Sequence, residues 1–142
     1  MPDIVLDVGE EWVVENDVGG ATVEVTLYND STDSISDTDN LSDITTEPTG
    51  GSFARQSTTV TSKQISGDFG FDNDSGLSFD VSDSSQTVDH AAYIVNFQSD
   101  TVAGDGSAND NLVAVASLSQ SRDLSQIDTL DINAGDLEAT LD

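Results

Sequence analysis

His90 is the only histidine of the sequence and so the first candidate for proton-transfer chemistry. Asp89 precedes it in a predicted strand, where adjacent side chains point to opposite faces, so we expect that Asp89 does not orient the His90 ring. No spacing suggests the geometry of a Ser-His-Asp triad. Pairs of carboxylates carry no information when 28 of 142 residues are acidic. We therefore expect a structural or interfacial histidine and no enzyme activity.

Two acidic runs have oxygen atoms at spacings that resemble part of a calcium loop. Asp72 and Asp74 belong to the run DNDSG, which lacks the glycine at position six and the closing glutamate of an EF-hand. Asp37 and Asp39 belong to a second oxygen-rich run. We expect no dedicated cofactor here, and loosely held sodium or potassium fits these carboxylates better than a specific calcium ion.

Arg55 lies in the segment TGGSFARQSTTVT, residues 49–61. Gly50 and Gly51 release the backbone from a loop, and residues 52–61 carry the hydroxyl and β-branched side chains typical of a strand. A guanidinium there can bind a carboxylate through two hydrogen bonds. Two roles are open: a clamp from this strand to an acidic loop of the same chain, or a bridge to another subunit. We favour the clamp.

The charge balance is the strongest feature of the composition. Arg55, Lys63 and Arg122 oppose 28 acidic residues, which gives a net charge of −25. Spread over the roughly 7,000 Å² that a folded chain of this size exposes, this charge opposes compaction in dilute buffer. In several-molar salt the screening length falls below about 3 Å and removes most of the repulsion. The sequence predicts adaptation to a hypersaline environment; an ordinary acidic protein or a disordered chain are the alternatives.

The same acidity argues against some partners. Nucleic acids and anionic membranes are bound through lysine and arginine, so we expect neither as a partner. The chain contains no cysteine, which excludes disulfides and thiolate chemistry. The N-terminal stretch MPDIVLDVGEEW has no basic region and no long apolar run, so we expect neither a signal peptide nor a membrane-spanning segment.

Alternation of apolar and polar residues predicts strands over most of the chain and argues against disorder. Residues 22–28 and 77–81 alternate most clearly, whereas residues 87–97 and 112–118 are apolar on both faces, as in central strands covered on both sides. Other strands are predicted at residues 4–8, 52–61, 129–132 and 137–141, the last two as a hairpin. About eight short antiparallel strands predict an all-β protein, a single-domain, jelly-roll-like β-sandwich spanning residues 1–142.

Long acidic loops connect these strands. We expect residues 29–48 and 99–110 to face outward, where loops usually contact partners. A helical turn near Asp39 would bring Leu41 and Ile44 to the core.

Two other segments flank or connect the predicted strands. Residues 1–21 are predicted to form an N-terminal arm or a short helix, with Trp12 packed on the core as an anchor. Residues 67–76 form a turn-rich connection with Phe69 and Phe71 near it.

Four stretches in the same order resemble a family of small tailed-phage virion proteins, usually described as tail-fibre, minor tail or head-decoration proteins. VTLYNDSTD (residues 25–33) is similar to a strand and loop of that family, and EPTGGSFARQSTTV (residues 47–60) resembles its GGSYARQ-like signature. Residues 77–97 and 111–142 are similar to its later strands. Phe53 stands where relatives often have tyrosine.

The resemblance implies a non-enzymatic β-sandwich of the virion, assembled in symmetric copies with itself and with other virion proteins. With the acidity, it leads us to expect a capsid decoration or turret subunit of a haloarchaeal tailed virus, assembled in the host cytoplasm and then exposed to hypersaline surroundings. A tail-fibre or minor tail component is the nearest alternative, and a carbohydrate-binding module for host glycans is an alternative of another class. The expected structural and assembly residues are Trp12, Gly50, Gly51, Phe53, Arg55 and Arg122.

Overall fold

Strands make up most of the computed structural model, which describes residues 4–6, 8–9, 21–97 and 109–140. The strands are β1 (Ile4–Val5), β2 (Ala21–Tyr28), β3 (Gln56–Ile65), β4 (Asp68–Asn73), β5 (Leu77–Asp80), β6 (Thr87–Phe97), β7 (Asn109–Asp123), β8 (Thr129–Ile132) and β9 (Ala139–Thr140). Helical structure within these residues is short: residues 8 and 9 are helical, α1 spans Asp30–Asp33, and 3₁₀ turns span Leu41–Asp43 and Leu124–Gln126. The prediction of an all-β protein is confirmed. Trp12 and most of the arm predicted for residues 1–21 lie outside the described residues.

Seven strands form a closed barrel in the order β1-β7-β6-β2-β3-β4-β9. β1 closes it, because Ile4 pairs with Val115 of β7 on one side and with Thr140 of β9 on the other. The predicted jelly-roll-like sandwich is therefore wrong. Alternation shows that one face of a strand is buried, but a barrel and a sandwich both provide such a face.

β5 and β8 form a separate two-stranded antiparallel sheet. The predicted hairpin of residues 129–132 with 137–141 is wrong, because β8 pairs with β5 whereas β9 pairs with β4 and β1. The residues between β8 and β9 bind Asn73 at the end of β4 instead of forming a hairpin turn. The Asn73 carbonyl accepts a hydrogen bond from Gly135 N, and its Oδ1 accepts one from Leu137 N.

The main core fills the barrel and the space under the β5–β8 sheet. Phe71 of β4 and Tyr93 of β6 meet edge to face, with ring centroids 5.3 Å apart. Phe79 of β5 belongs to the same core and stacks on Phe53 at 5.8 Å. Phe53, expected to be a structural residue, is a partly buried support of the smaller sheet.

A second apolar cluster lies on the other face of the central strands. It combines Ile4, Leu6, Tyr28, Ile35, Ala92, Leu112 and Val115, with Leu41 and Ile44 packed against it. Both faces of β6 and β7 are therefore covered, as their two-sided apolar sequences predict. The expectation that residues 29–48 face outward is wrong in part, because Ile35, Leu41 and Ile44 turn this segment into a cover over the sheet.

Two irregularities interrupt the pairing of β6 with β7. Tyr93 pairs with Ala114 and Ile94 with Leu112, so Val113 is an extra residue in β7. Its carbonyl accepts a hydrogen bond from Leu6 N at 3.0 Å. At the other end of the ladder a second irregularity falls between Val88 and His90. Such bulges bend a strand and redirect its side chains.

β3 and β4 form a hairpin through the two-residue turn Ser66–Gly67, in which both residues have positive φ (52° and 92°). This is the backbone of a type I′ turn, whose twist matches that of paired strands. The predicted strand at residues 52–61 thus begins later and runs further, at Gln56–Ile65. The predicted connection at residues 67–76 is mostly strand β4.

Candidate functional site

Arg55 lies one residue before β3 and joins three separate segments. Its Nε and Nη2 donate to Glu47 Oε2 and Oε1 at 2.7 and 3.0 Å, and its Nη1 donates to Glu24 of β2 at 3.4 Å. Thr26 donates its hydroxyl to the same Glu47 carboxylate. The Arg55 contacts lie within one chain, which is the clamp that the sequence favoured.

The electrostatics of this clamp follow from its geometry. Burial alone would raise the pKa of Glu47, but the hydrogen bonds from Arg55 and Thr26 outweigh it and hold that pKa below its ordinary value. The hydrogen bond to Glu47 raises the pKa of Arg55 against the opposing effect of burial. Both groups therefore stay ionised at neutral pH, and the clamp has the properties of a structural ion pair.

The two glycines before Arg55 differ in what they do. Gly50 has φ of 134°, and a Cβ there would approach Asp83 Oδ1 to 2.5 Å and its backbone oxygen to 2.8 Å. At Gly51 a Cβ would meet nothing nearer than 3.8 Å. Asp83 accepts the backbone N–H of Ser52 at 3.0 Å, which fixes the turn. The structure thus gives Gly50 a specific role and gives Gly51 none.

The Asp89–His90 pair corrects the expectation drawn from strand geometry. Asp89 Oδ1 lies 3.0 Å from His90 Nδ1, although adjacent strand residues normally face apart. The irregularity of β6 between Val88 and His90 redirects the two side chains. Asp89 also accepts hydrogen bonds from Asp30 N at 2.7 Å and Ser31 Oγ at 2.8 Å.

This cluster does not have the order of a catalytic triad. The Ser31 hydroxyl bonds Asp89 and not the imidazole, and His90 Nε2 is buried without a hydrogen-bond partner in the structure. Burial raises the pKa of Asp89, but the hydrogen bonds from Asp30, His90 and Ser31 together bring it below its ordinary value. Asp89 acts chemically as an acceptor that holds the α1 turn against β6.

Asp30 continues the same network inward. Its Oδ1 accepts hydrogen bonds from the Tyr28 hydroxyl and from Ile35 N, each at 3.0 Å. Burial, together with the nearby Asp30 carboxylate, raises the pKa of Tyr28, so the phenol stays protonated and donates. The start of the 29–48 segment is thereby attached to the outer apolar cluster.

The carboxylates considered as calcium ligands bind donor groups of the protein. Asp72 binds Lys63 Nζ at 2.6 Å, and Asp74 accepts the hydroxyls of Thr59 and Thr61 at 2.5 and 2.6 Å. Asp39 accepts Ser36 N at 2.7 Å, and no hydrogen bond connects it to Asp37. Within the described part of the chain, no three histidine or acidic side chains gather as a metal ion would require.

Hydroxyl and backbone donors take the place of cations around several carboxylates. Asp33 is the clearest case, because it accepts the backbone N–H and the hydroxyl of both Thr45 and Thr46. Burial would raise the pKa of Asp33, but these four bonds lower it. This arrangement orders an acidic segment with neutral donors.

Arg122 lines a cavity of about 320 Å³ between β7, β8 and residues 136–138. Among the described carboxylates none lies within 4.0 Å of its guanidinium, whereas Arg55 and Lys63 each bind two. With the oxygen and nitrogen of its side-chain amide exchanged, Gln120 accepts hydrogen bonds from Arg122 Nη1 and Nη2, each at 3.2 Å. Of the two arginines expected to be structural and assembly residues, Arg122 is the one that has no ion pair to a described residue.

Asn73 is an important residue that the sequence did not indicate. Its Nδ2 donates to the carbonyls of Ser75 and Asn133, and its Oδ1 accepts Leu137 N, all within 3.0 Å. In the sequence Asn73 sits inside the run interpreted as a calcium loop. Its burial would have been the only clue, and burial depends on the barrel.

The comparisons with known proteins add no relative. No family model, no curated protein and no solved structure matches this chain. No helix in the described part of the chain is long and apolar enough to cross a membrane.

Proposed function

We propose that this protein is a non-enzymatic structural component of a haloarchaeal tailed virus, a capsid decoration or turret subunit on the surface of the particle. The observation that carries the proposal is the resemblance of residues 47–60 to the signature of small tailed-phage virion proteins. The geometry supports it, because Glu47, Gly50, Phe53 and Arg55 of that segment each have a structural contact.

The organisation of the acidic side chains also supports this proposal. A surface protein of a halophilic virus must stay folded while its carboxylates face concentrated salt. Asp33 and Asp74 are held by threonine donors, so these contacts do not depend on a cation that salt would screen. An ordered, acidic, closed barrel fits repeated display on a particle, because each of its seven strands has a neighbour on both sides.

A tail-fibre or minor tail component remains the nearest alternative, since the resemblance covers that role as well. Binding of host glycans is the alternative of a different class. The cavity beside Arg122 favours glycan binding, because Ser119 and Asp131 supply further polar groups there. The lining of that cavity contains no aromatic side chain, whereas sugar sites often present one.

Localisation on purified virions tests the proposal. Antibodies raised against the purified protein, detected with gold in the electron microscope, should label heads at many positions. Antibodies against the major capsid protein of the same virus are the positive control. Label confined to tails would support the alternative, and absence of the protein from purified particles would refute a virion role.

A further inference from the structure

The end of the β3–β4 hairpin, beyond the Lys63–Gly70 pair, is exposed on both faces. Gln64, Asp68 and Phe69 are exposed and Ile65 is partly buried, whereas Gly70 is already buried. A two-stranded ribbon without a covered face is marginally stable in water. This end of the β3–β4 hairpin, residues 63–69, is called the hairpin arm, or the arm, below. It has the form of an element that a partner covers.

Phe69 gives the arm an apolar contact point. It is 62% exposed and is the one large hydrophobic residue classed as exposed in the described part of the chain. Its cross-strand neighbour is Gln64, so no apolar side chain pairs with it on the ribbon. Leaving such a ring in water forfeits the transfer free energy that its burial would supply.

The cavity beside Arg122 can accept an aromatic ring. Leu118, Leu130, Ile132 and Leu137 contribute apolar surface to its lining. Its volume of about 320 Å³ exceeds the roughly 150 Å³ of an engineered apolar cavity that binds benzene. A guanidinium within about 6 Å of a ring face adds a cation–π attraction.

We propose that Phe69 of one copy of this protein inserts into the Arg122 cavity of a second copy. The inference rests on the proposed function, which requires copies to associate. Each copy carries a net charge of −25, so copies can approach best where cations lie. Lys63 on the arm and Arg122 in the cavity are the two side-chain cations outside the Arg55 clamp. Asp131, Asp136 and Glu138 also line the cavity, so the contact requires salt that screens these carboxylates.

The arm and the cavity are close together on one subunit. Glu138 lines the cavity and also binds Lys63 at 3.0 Å. Two adjacent complementary features allow two copies to exchange contacts reciprocally about a two-fold axis, or several copies to close a ring. High salt favours either assembly, because it screens the repulsion between acidic surfaces.

The first test compares the molar mass of purified variants by light scattering in about 3 M KCl, where screening is strong. The wild type should associate, and Phe69→Ser should weaken association by about tenfold or more, as truncation of a central aromatic contact does. Asp68→Asn is the matched control, because Asp68 is exposed on the other face of the same hairpin and the variant should associate normally. Phe69→Trp should restore association, and Ser119→Trp should block it by filling the cavity.

The second test uses the absence of cysteine from the chain. Phe69→Cys and Ser119→Cys proteins are mixed under mild oxidation, and a disulfide-linked heterodimer is expected. A mixture with Asp68→Cys in place of Phe69→Cys should give little product, because the adjacent residue of β4 points to the other face of the hairpin. A monomeric wild type, or equal crosslinking from both positions, would overturn the proposal.

These results separate the inference from the proposed function. Association through Phe69 without labelling of virions would remove the virion role and keep the contact. Labelled virions with a protein that stays monomeric would remove the contact and keep the role. A monomer whose cavity binds a monosaccharide in titration calorimetry would overturn the contact in favour of a glycan site.

Discussion

Arg55 binds Glu47 through two nitrogen atoms, with Nε to Oε2 at 2.7 Å and Nη2 to Oε1 at 3.0 Å. The pair links the end of the long 29–48 segment to the start of β3. Because Glu24 of β2 accepts the third contact, the arginine also ties the start of β3 to the middle of the neighbouring strand β2. The segment around Arg55 is thus where a loop, a turn and two strands are joined.

Replacement of Arg55 should destabilise the fold. We expect Arg55→Ala to lower the free energy of unfolding by about 1–2 kcal/mol, since charge-assisted bonds are lost but the site is partly exposed. Arg55→Lys should lose part of this, because an ammonium cannot make the two-point contact. Denaturant unfolding at constant high salt measures both, and a double-mutant cycle with Glu47→Gln isolates the pair. A coupling near zero would show that the contact contributes nothing.

Replacement of Asn73 should lower the free energy of unfolding more than replacement of Arg55. Asn73→Ala leaves two carbonyls and the backbone N–H of Leu137 without their partners in a buried place, so we expect a loss of about 2–4 kcal/mol. Asn96→Ala is the control, because Asn96 is exposed and makes one bond to Asp110. Thermal unfolding of both variants at the same salt measures the difference, and equal melting temperatures would contradict the importance of Asn73.

The sequence predicted the strands better than their arrangement. The apolar pattern of residues 87–97 located a strand covered on both sides, and β6 has that property. The pattern could not show that β1 joins β7 to β9, because the two residues Ile4–Val5 carry no information about their neighbours. Closure of the barrel is a property of distant pairings, which alternation does not encode.

The contacts of the candidate site were likewise predicted only in part. The type and surroundings of Arg55 were enough to predict a two-point contact with a carboxylate, but not that Glu47 would be the partner. The contact of Asp89 with His90 was missed, since the rule that adjacent strand residues face apart fails at an irregularity. Bulges of this kind depend on the partner strand, so residues 87–97 alone do not reveal them.

Acid should unfold the protein even when salt screens its charge. Burial would raise the pKa of Asp33, Glu47 and Asp89, but hydrogen bonds lower each below its ordinary value of 3.8 or 4.5. A lowered pKa means that the folded state binds fewer protons than the unfolded state. The stabilisation is therefore complete above the ordinary pKa and is lost as the pH falls through the folded value.

We therefore expect the free energy of unfolding in high salt to be constant from about pH 7 to 5 and to fall below about pH 4. Asp33→Asn should be less stable at neutral pH and should show a smaller loss in acid, since one titrating group is removed. Unfolding curves at a series of pH values, with salt held constant, measure this. Stability that stays level or rises down to about pH 2.5 would contradict the assignment of these hydrogen bonds to ionised carboxylates.

Removal of salt should also unfold the protein, in this case because the ionised carboxylates repel one another. Among the lysine and arginine side chains, only Arg55 and Lys63 form ion pairs with described carboxylates. Most of the 28 acidic side chains therefore have no cationic side chain beside them. Below roughly 0.5 M salt the screening length exceeds about 4 Å, and neighbouring carboxylates repel one another more strongly. We expect circular dichroism to show loss of the folded state on dialysis below this concentration.

A variant with less charge tests whether repulsion is the cause. Asp37, Asp68 and Asp128 are exposed and have no side-chain hydrogen bond to a described residue. Replacing all three with lysine changes the charge by two at each position and moves the net charge from −25 to −19. The salt concentration at half-unfolding should then fall, whereas replacing the exposed Ser57, Ser78 and Ser121 with threonine should leave it unchanged. An identical midpoint in the lysine variant would mean that salt acts through bound ions or the hydrophobic effect and not through relief of repulsion.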